Sequence, residues 1–416
     1  SRRKAAADRR RTVIHYHADW ILPITAPPIR RGVVTVQAGR VVAAGSSPTA
    51  DSATTHDLGR AVILPSLVNA HTHLELSALA GRVAPAPSMP EWVRSLIEIR
   101  GRSSDQDPAA IRAAIGAVRS SGTGLVGDIG NTLAAVPELR SSPLRARVFR
   151  EVVGFPDVLA DQVVTAAVEE IAAVGGTDAV RVGLAAHAPY SVGREAFRAL
   201  GRASQALGGP RAVHLGESSE EVEFLSTGRG PWRDLLERIG RWDPAWEAPG
   251  AGPVAHLDQL GWLGDDLVVA HGVQLRDDEL SRLASAGATL VTCPRSNRWT
   301  GVGDPPVDRF VRSGVRLAVG TDSLASAPDL NLFAELARLR ELSSDVPACT
   351  LLTAATAHGA RALGFGGELG EIAPGALASL IAVPVPDESL DVEEYLVRGV
   401  GPDQVTWLDP DDGAAG

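Results

Sequence analysis

The sequence has 416 residues, of which 44% are hydrophobic, and its formal net charge at pH 7 is −10. This length exceeds the roughly 250 residues of a single barrel, so we expect one large domain and a smaller one. The acidic balance argues against binding to nucleic acid or anionic lipid, and no apolar run approaches a membrane span, so we expect a small-molecule partner.

The first segment, residues 1–11, is rich in arginine and is interpreted as a disordered basic tail. The two cysteines, Cys293 and Cys349, lie far apart without the spacing of metal ligands. A disulfide framework is therefore not expected, and a reducing cytoplasmic location fits. The sequence leaves open whether the chain forms a homodimer.

Short alternating runs in residues 12–61 predict an antiparallel meander, with a turn at Ala38-Gly39-Arg40. Residues 367–385 and 392–408 show similar strands and turns. We therefore predict a small β-sandwich domain built from both ends of the chain, residues 12–62 together with 365–416.

Between these two regions, β-rich runs alternate with helical stretches, several of which stop at a glycine. Eight such strands, each followed by a helix, predict a (β/α)₈ barrel of the TIM type over residues 63–364. The predicted strands are residues 61–73, 124–130, 146–154, 180–188, 211–217, 266–273, 288–294 and 315–323.

Polar side chains recur at the carboxyl ends of these strands, where a barrel collects its chemistry. Five of the ten histidines and one aspartate lie there, namely His71, His73, His187, His214, His271 and Asp322. His71 and His73 point the same way because side chains alternate along a strand. Neutral imidazoles with one carboxylate suit a catalytic Zn²⁺ or a similar divalent transition metal.

The remaining histidines have an ordinary structural interpretation. His15 and His17 share the spacing of the first pair but lie in the predicted meander, away from other ligands. His56 falls in a polar loop, and His256 and His358 fall in helical stretches.

Six segments carry a resemblance to a known family: "LVNAHTHLELS", "HAPYS", "VHLGES", "VAHGVQL", "CPRSN" and "GTDSLAS". In this order they resemble the amidohydrolase superfamily, specifically its mononuclear deaminase and chlorohydrolase branch. The resemblance implies a metal-dependent hydrolase with His71, His73, His214 and Asp322 as ligands of one divalent ion, with zinc expected and iron as the alternative. Binuclear members use a carbamylated lysine, and the only lysine here is Lys4.

The resemblance also implies catalytic roles. Asp322 accepts the proton of the attacking water, Glu217 protonates a ring nitrogen, and His271 hydrogen-bonds the attacking oxygen. Glu217 has a rival structural interpretation, because Ser218 and Glu221 form a capping box at a helix start beside it. One departure from the family is Ser379, where an aspartate is usual.

The loop sequences are most similar to those of aminodeoxyfutalosine deaminases of menaquinone biosynthesis, which convert an adenine nucleoside to its hypoxanthine form with release of ammonia. That substrate carries a carboxyphenyl group, for which Arg295 is the candidate cation. Further candidate substrate contacts are His187, Trp92, Glu75, Ser218 and Glu151. Alternatives are a methylthioadenosine/S-adenosylhomocysteine or guanine deaminase, a triazine-type chlorohydrolase and, more remotely, a catalytically silent scaffold.

Overall fold

A computed structural model describes residues 12–47, 53–100, 107–386 and 391–408, so the predicted tail at residues 1–11 lies outside the described part. The chain begins with five strands: β1 Val13–Ile21, β2 Ile29–Gln37, β3 Arg40–Gly45, β4 Thr54–Asp57 and β5 Ala61–Pro65. The predicted meander is present in β1 to β3, and Ala38 and Gly39 turn the second hairpin with φ of 53° and 72°. β4 and β5 depart from it, since both pair parallel with β1.

Eight parallel strands follow and alternate with helices, which confirms the predicted barrel. Their bounds are β6 Leu67–Thr72, β7 Thr123–Gly130, β8 Arg145–Val152, β9 Val180–Ala186, β10 Arg211–Leu215, β11 Leu267–His271, β12 Thr289–Thr292 and β13 Arg316–Val319. Each strand is hydrogen-bonded to the next along the chain. Their side chains are almost entirely buried, as expected of a parallel sheet covered by helices.

The first predicted barrel strand, residues 61–73, is divided at Ser66. The part before Ser66 is β5, which belongs to the small sheet, and the part after it is β6 of the barrel. The backbone N–H of Ser66 donates to the carbonyl of Ser379 at 2.8 Å, and the two hydroxyl groups lie 2.8 Å apart. The small sheet is therefore joined to the barrel within a single residue.

The barrel closes between its first and last strands. Thr72 and Asp322 form a parallel bridge, and the Thr72 hydroxyl donates to the Asp322 carbonyl at 3.0 Å. Beneath it, the Asn69 amide donates to the Thr321 hydroxyl at 2.7 Å and accepts from the Thr321 N–H at 3.1 Å. This closure brings the end of β6 and the end of β13 to the same place.

Helices alternate with the strands, and most of them cover the outside of the barrel with apolar faces packed on the strands. They are α1 Met89–Arg100, α2 Pro108–Ser120, α3 Ala135–Arg140, α4 Ala160–Val174, α5 Arg194–Leu207, α6 Ser219–Thr227, α7 Pro231–Arg238, α8 Pro253–Gln259, α9 Asp277–Ala286, α10 Pro294–Trp299, α11 Val307–Ser313, α12 Leu332–Leu342, α13 Ala348–Thr353 and α14 Gly359–Ala362. No helix in the described part of the chain is long and apolar enough to cross a membrane.

The last segment completes the small sheet and corrects one prediction. β14, Leu380–Pro384, pairs antiparallel with β5, and β15, Thr406–Trp407, pairs with β14. Between them, where residues 392–408 predicted strands and turns, the chain forms α15, Val392–Val397. The Asp391 carboxylate caps this helix by accepting from the Glu394 N–H, and Leu396 is buried against the barrel. The separate small β unit made from both ends of the chain is confirmed.

Candidate active site

Four of the predicted side chains converge at the carboxyl ends of the strands. His73 Nε2 lies 3.4 Å from His214 Nε2 and 3.4 Å from Asp322 Oδ1, and His71 Nε2 lies 3.9 Å from the same Asp322 oxygen. One donor atom from each of His71, His73 and His214 falls within 4.8 Å of the others. Side chains from β6, β10 and the end of β13 therefore face one point.

This donor set fits a divalent transition metal. His71 Nε2 is buried and has no hydrogen-bond partner in the described structure. Burial lowers the pKa of His71 well below its usual value and lowers the pKa of His214 to about 3, so both rings are neutral near pH 7. Neutral imidazoles and a carboxylate that converge in this way are the ligands that Zn²⁺ and related ions prefer.

Neighbouring groups orient the donor atoms. The ring of His214 hydrogen-bonds the backbone carbonyl of His187 through Nδ1 at 3.0 Å, which leaves Nε2 as the lone-pair nitrogen. Asp322 and His271 both have positive φ, 59° and 74°, a conformation that is strained for residues other than glycine. Such strain at the two strand ends is consistent with a functional site.

Glu217 and His271 form a second pair beside the cluster. Glu217 Oε2 lies 3.7 Å from His271 Nε2, is buried, and has no hydrogen-bond partner among the described residues. Burial first, and then the charges of Asp322 and Glu221, raise the pKa of Glu217 well above its usual value. On the other side of its ring, His271 Nδ1 faces the Asn297 amide nitrogen at 3.1 Å.

The helix cap next to Glu217 is made by other residues. The Ser218 hydroxyl accepts from the Glu221 N–H at 3.2 Å, and the Glu221 carboxylate accepts from the N–H groups of Gly216 and Glu217 at 2.9 and 3.0 Å. The Glu217 carboxyl takes no part in these bonds and faces the cavity instead. The capping interpretation therefore accounts for Ser218 and Glu221 but not for the position of Glu217.

A cavity of about 490 Å³ opens above the cluster, and four predicted substrate contacts line it. They are Glu75, Trp92, Glu151 and His187. The two carboxylates also hold the loop after β7: Glu75 accepts from the Asn131 N–H at 2.7 Å, and Glu151 accepts from the Asn131 amide at 2.7 Å. His187 Nδ1 bonds the Ser191 hydroxyl at 2.6 Å. Glu75 and Glu151 thus shape the cavity wall as well as facing it.

The structure does not bring two predicted contacts to this cavity. The Arg295 guanidinium lies beside the start of α12, where Nη1 is 2.8 Å from Asp329 Oδ1 and Nε is 3.5 Å from Glu335 Oε1. Ser218 is fully buried at the start of α6, where its hydroxyl is used by the cap. Neither side chain therefore reaches the cavity in this structure, because each is held elsewhere by a local partner.

Several cavity residues were missed by the sequence reasoning. Asn131 directly follows β7 and obeys the strand-end rule that singled out the histidines. Tyr190 stacks on Trp232 with ring centroids 3.9 Å apart, and both rings line the cavity. Arg100 and Arg241 also line it, and nothing in their local sequence distinguishes them from other arginines.

Comparison with known proteins decides the family. A family model for the amidohydrolases matches residues 62–400. The chain belongs to the amidohydrolase family. The matched region contains the whole barrel and the strand β14, so the family covers the site and most of its surroundings.

Three similar proteins bear on the reaction of this amidohydrolase. The aminodeoxyfutalosine deaminase of Deinococcus radiodurans is 34% identical over 322 residues, 73% of this chain and 74% of the relative. A 5-methylthioadenosine/S-adenosylhomocysteine deaminase of Syntrophobacter fumaroxidans is 32% identical over 369 residues, 85% and 80% of the two chains. The structure is similar to that of a zinc-bound adenosine deaminase of Xanthomonas campestris, with a TM-score of 0.79, 28% identity, and 94% and 90% of the two chains covered. The chain is a hydrolase of carbon–nitrogen bonds.

Proposed function

We propose that this protein is a metal-dependent deaminase of adenine nucleosides, with aminodeoxyfutalosine as its substrate. The observation that carries the proposal is the buried Glu217 carboxyl, which faces His271 and the histidine cluster at the floor of the cavity. A general acid beside a set of candidate metal ligands is what hydrolytic replacement of a ring amino group requires. The named deaminases among the relatives support the same reaction.

His71, His73, His214 and Asp322 would hold the metal ion. A divalent ion bound there supplies Lewis acidity that makes hydroxide available from water near neutral pH. The absence of any lysine except Lys4 leaves no candidate for a carbamate bridge, so one ion is proposed. Zinc suits the donor set, and iron is the alternative.

Three side chains of the site would then transfer protons or donate a hydrogen bond. Asp322 accepts a proton from the attacking water through Oδ1, because its other oxygen already accepts hydrogen bonds from Ser296 and Ser326. Burial raises the pKa of Glu217 well above its usual value, which favours the protonated carboxyl, and Glu217 donates its proton to the ring nitrogen next to the attacked carbon. His271 hydrogen-bonds the entering oxygen as negative charge develops on it. The proton held by Asp322 then passes to the leaving amino group, and Glu217 regains a proton from the entered hydroxyl as the carbonyl forms. Water and the aminopurine are consumed, and the oxopurine and ammonia are formed.

The choice of nucleoside rests on the loop sequences and on the relatives. The resemblance of the loops and the Deinococcus radiodurans relative both favour aminodeoxyfutalosine, which would place the enzyme in menaquinone biosynthesis. Methylthioadenosine or S-adenosylhomocysteine is the second candidate, because a relative with that name aligns over a larger share of the chain. The cavity, with its stacked Tyr190 and Trp232, has aromatic surface for either.

The decisive experiment is a spectroscopic assay of metal-loaded protein. Aminodeoxyfutalosine, methylthioadenosine and adenosine are supplied in parallel, and the ultraviolet change from adenine to hypoxanthine is followed together with ammonia release. We expect the highest kcat/KM for aminodeoxyfutalosine. Faster turnover of methylthioadenosine would establish the second candidate, and absence of turnover with all three would refute an adenine-nucleoside deaminase.

A further inference from the structure

The cavity changes in character from its floor to its mouth. The floor residues His271, Glu217 and Asp322 are at most 8% exposed, whereas three aliphatic residues on the wall, Ile97, Val153 and Ile239, are 42%, 52% and 43% exposed. Those three make up half of the six large exposed hydrophobic side chains in the described part of the chain. Exposed apolar side chains that gather around one cavity indicate a surface that is covered when ligand binds.

The charged residues that line the cavity also differ between its floor and its mouth. The lower wall carries the carboxylates of Glu75 and Glu151, which disfavour an anion placed beside them. Two arginines line the same cavity, Arg100 and Arg241. An anionic part of a ligand is therefore stable only where it approaches an arginine away from the floor.

The two arginines are not equivalent. The Arg100 guanidinium donates to Asn131 Oδ1 at 3.2 Å and lies 3.8 Å from Glu75 Oε1, so its charge is used within the wall. Arg241 makes no ion pair or side-chain hydrogen bond within the described ranges of the chain. Its side chain is exposed, and it follows the exposed Ile239 by two residues, which places it at the mouth.

The backbone at Arg241 is held in place although the side chain is not. The Arg241 N–H donates to the carbonyl of Leu236 at 2.8 Å, at the end of α7, and the Leu236 side chain also lines the cavity. The guanidinium is thus attached to a fixed point of the wall. A planar guanidinium presented in this way matches a carboxylate, with which it forms two parallel hydrogen bonds.

We infer that Arg241 determines substrate specificity by binding a carboxylate at the far end of the nucleoside, beyond an apolar group that packs on Ile97, Val153 and Ile239. The inference rests on the proposed function and deepens it. The substrate class it assigns is an adenine nucleoside whose ribose carries an apolar, aromatic-sized extension that ends in a carboxylate. A nucleotide is a poorer match, because its phosphate follows the ribose without an apolar spacer.

The test compares the metal-loaded wild type with Arg241→Gln and Arg241→Lys. The matched control is Arg238→Gln, which removes an exposed arginine three residues away at the end of α7 that does not line the cavity. Each protein is assayed with aminodeoxyfutalosine, with its neutral methyl ester and with adenosine monophosphate. Arg241→Gln removes a charge-assisted hydrogen bond to the carboxylate. We therefore expect it to lower the ratio of kcat/KM for the acid to kcat/KM for the ester by about 10- to 100-fold.

The loss is expected in KM for the acid rather than in kcat, with Arg241→Lys intermediate and Arg238→Gln close to the wild type. An unchanged acid-to-ester ratio in Arg241→Gln would overturn the inference while leaving the deaminase intact. If the wild type prefers adenosine monophosphate to aminodeoxyfutalosine and Arg241→Gln loses this preference, the inference of an apolar spacer before the anion is refuted. If the wild type deaminates no adenine nucleoside, the proposed function fails, and the inference fails with it.

Discussion

Ser296 holds one oxygen of the Asp322 carboxylate. Its hydroxyl donates to Asp322 Oδ2 at 2.5 Å, and the Ser326 hydroxyl donates to the same oxygen at 3.0 Å, so that Oδ1 faces His73 at 3.4 Å. Two short side chains therefore decide which oxygen of the carboxylate faces the histidines.

Ser296→Ala tests this arrangement. Loss of a group that orients a metal ligand typically costs 10- to 100-fold in metal affinity or activity, and we expect about 10-fold here because Ser326 remains. The measurement is metal content during titration with a chelator, together with kcat. Ser281→Ala, which removes a hydroxyl bonded only to its own helix, is the control. Equal metal affinity and turnover in both variants would contradict the role of Ser296.

His73→Ala is expected to lose bound metal and deaminase activity together, because His73 contributes one of the converging donor atoms. His17→Ala is the matched control, since His15 and His17 share the spacing of His71 and His73 but lie in β1 of the small sheet. The two variants are compared by their metal content from elemental analysis and by kcat from ultraviolet absorbance. Full metal occupancy with normal turnover in His73→Ala would refute the proposed ligand set.

Glu217→Gln is expected to keep the metal and lose about 100- to 10,000-fold in kcat, because an amide cannot donate the proton that a general acid supplies. Glu220→Gln changes a neighbouring carboxylate that does not line the cavity and provides the control. Both proteins are compared by metal analysis and steady-state kinetics. A rate near that of the wild type in Glu217→Gln would remove Glu217 from the mechanism.

The buried His256 is expected to make the folded protein less stable at acidic pH. Burial, and then the charges of Arg194 and Arg198, lower its pKa to about 4, whereas an unfolded histidine titrates near 6.5. Between these values the unfolded chain binds the proton more readily, so stability falls as the pH falls from 6.5 to 4 and is unaffected by this group above that range. In His256→Gln, the melting temperature should decline less over this range than in the wild type. Parallel declines would show that His256 contributes nothing.

Arg295→Gln separates the two arginine hypotheses. Since Arg295 is paired with Asp329 and the buried Glu335, we expect nearly unchanged KM for carboxylated and neutral nucleosides. Burial raises the pKa of Glu335 to about 8, so loss of the neighbouring cation favours its protonated carboxyl, and the free energy of unfolding should fall by only about 1 kcal/mol. Urea unfolding measures the second effect. A selective rise in KM for the carboxylated nucleoside would restore Arg295 as a substrate contact.

The barrel and its cluster of histidines were predictable because they depend on short-range patterns. Buried strands at regular intervals predict β6 to β13, and a polar residue at the end of such a strand predicts where its side chain lies. The histidines from His71 to His271, together with Asp322, follow this rule. α15 was missed because six residues from Val392 are too few to distinguish a short helix from a strand by periodicity.

The sequence by itself therefore determined the fold class, the family and the converging polar residues, since each depends on the order of residues along single strands. Only the tertiary structure decided which arginines line the cavity. Arg295 lies within the segment "CPRSN" but turns towards Glu335 on α12, whereas Arg241 reaches the mouth from the turn after α7. Long side chains on loops and helix ends take their direction from distant partners, and those partners are brought together only when the barrel closes.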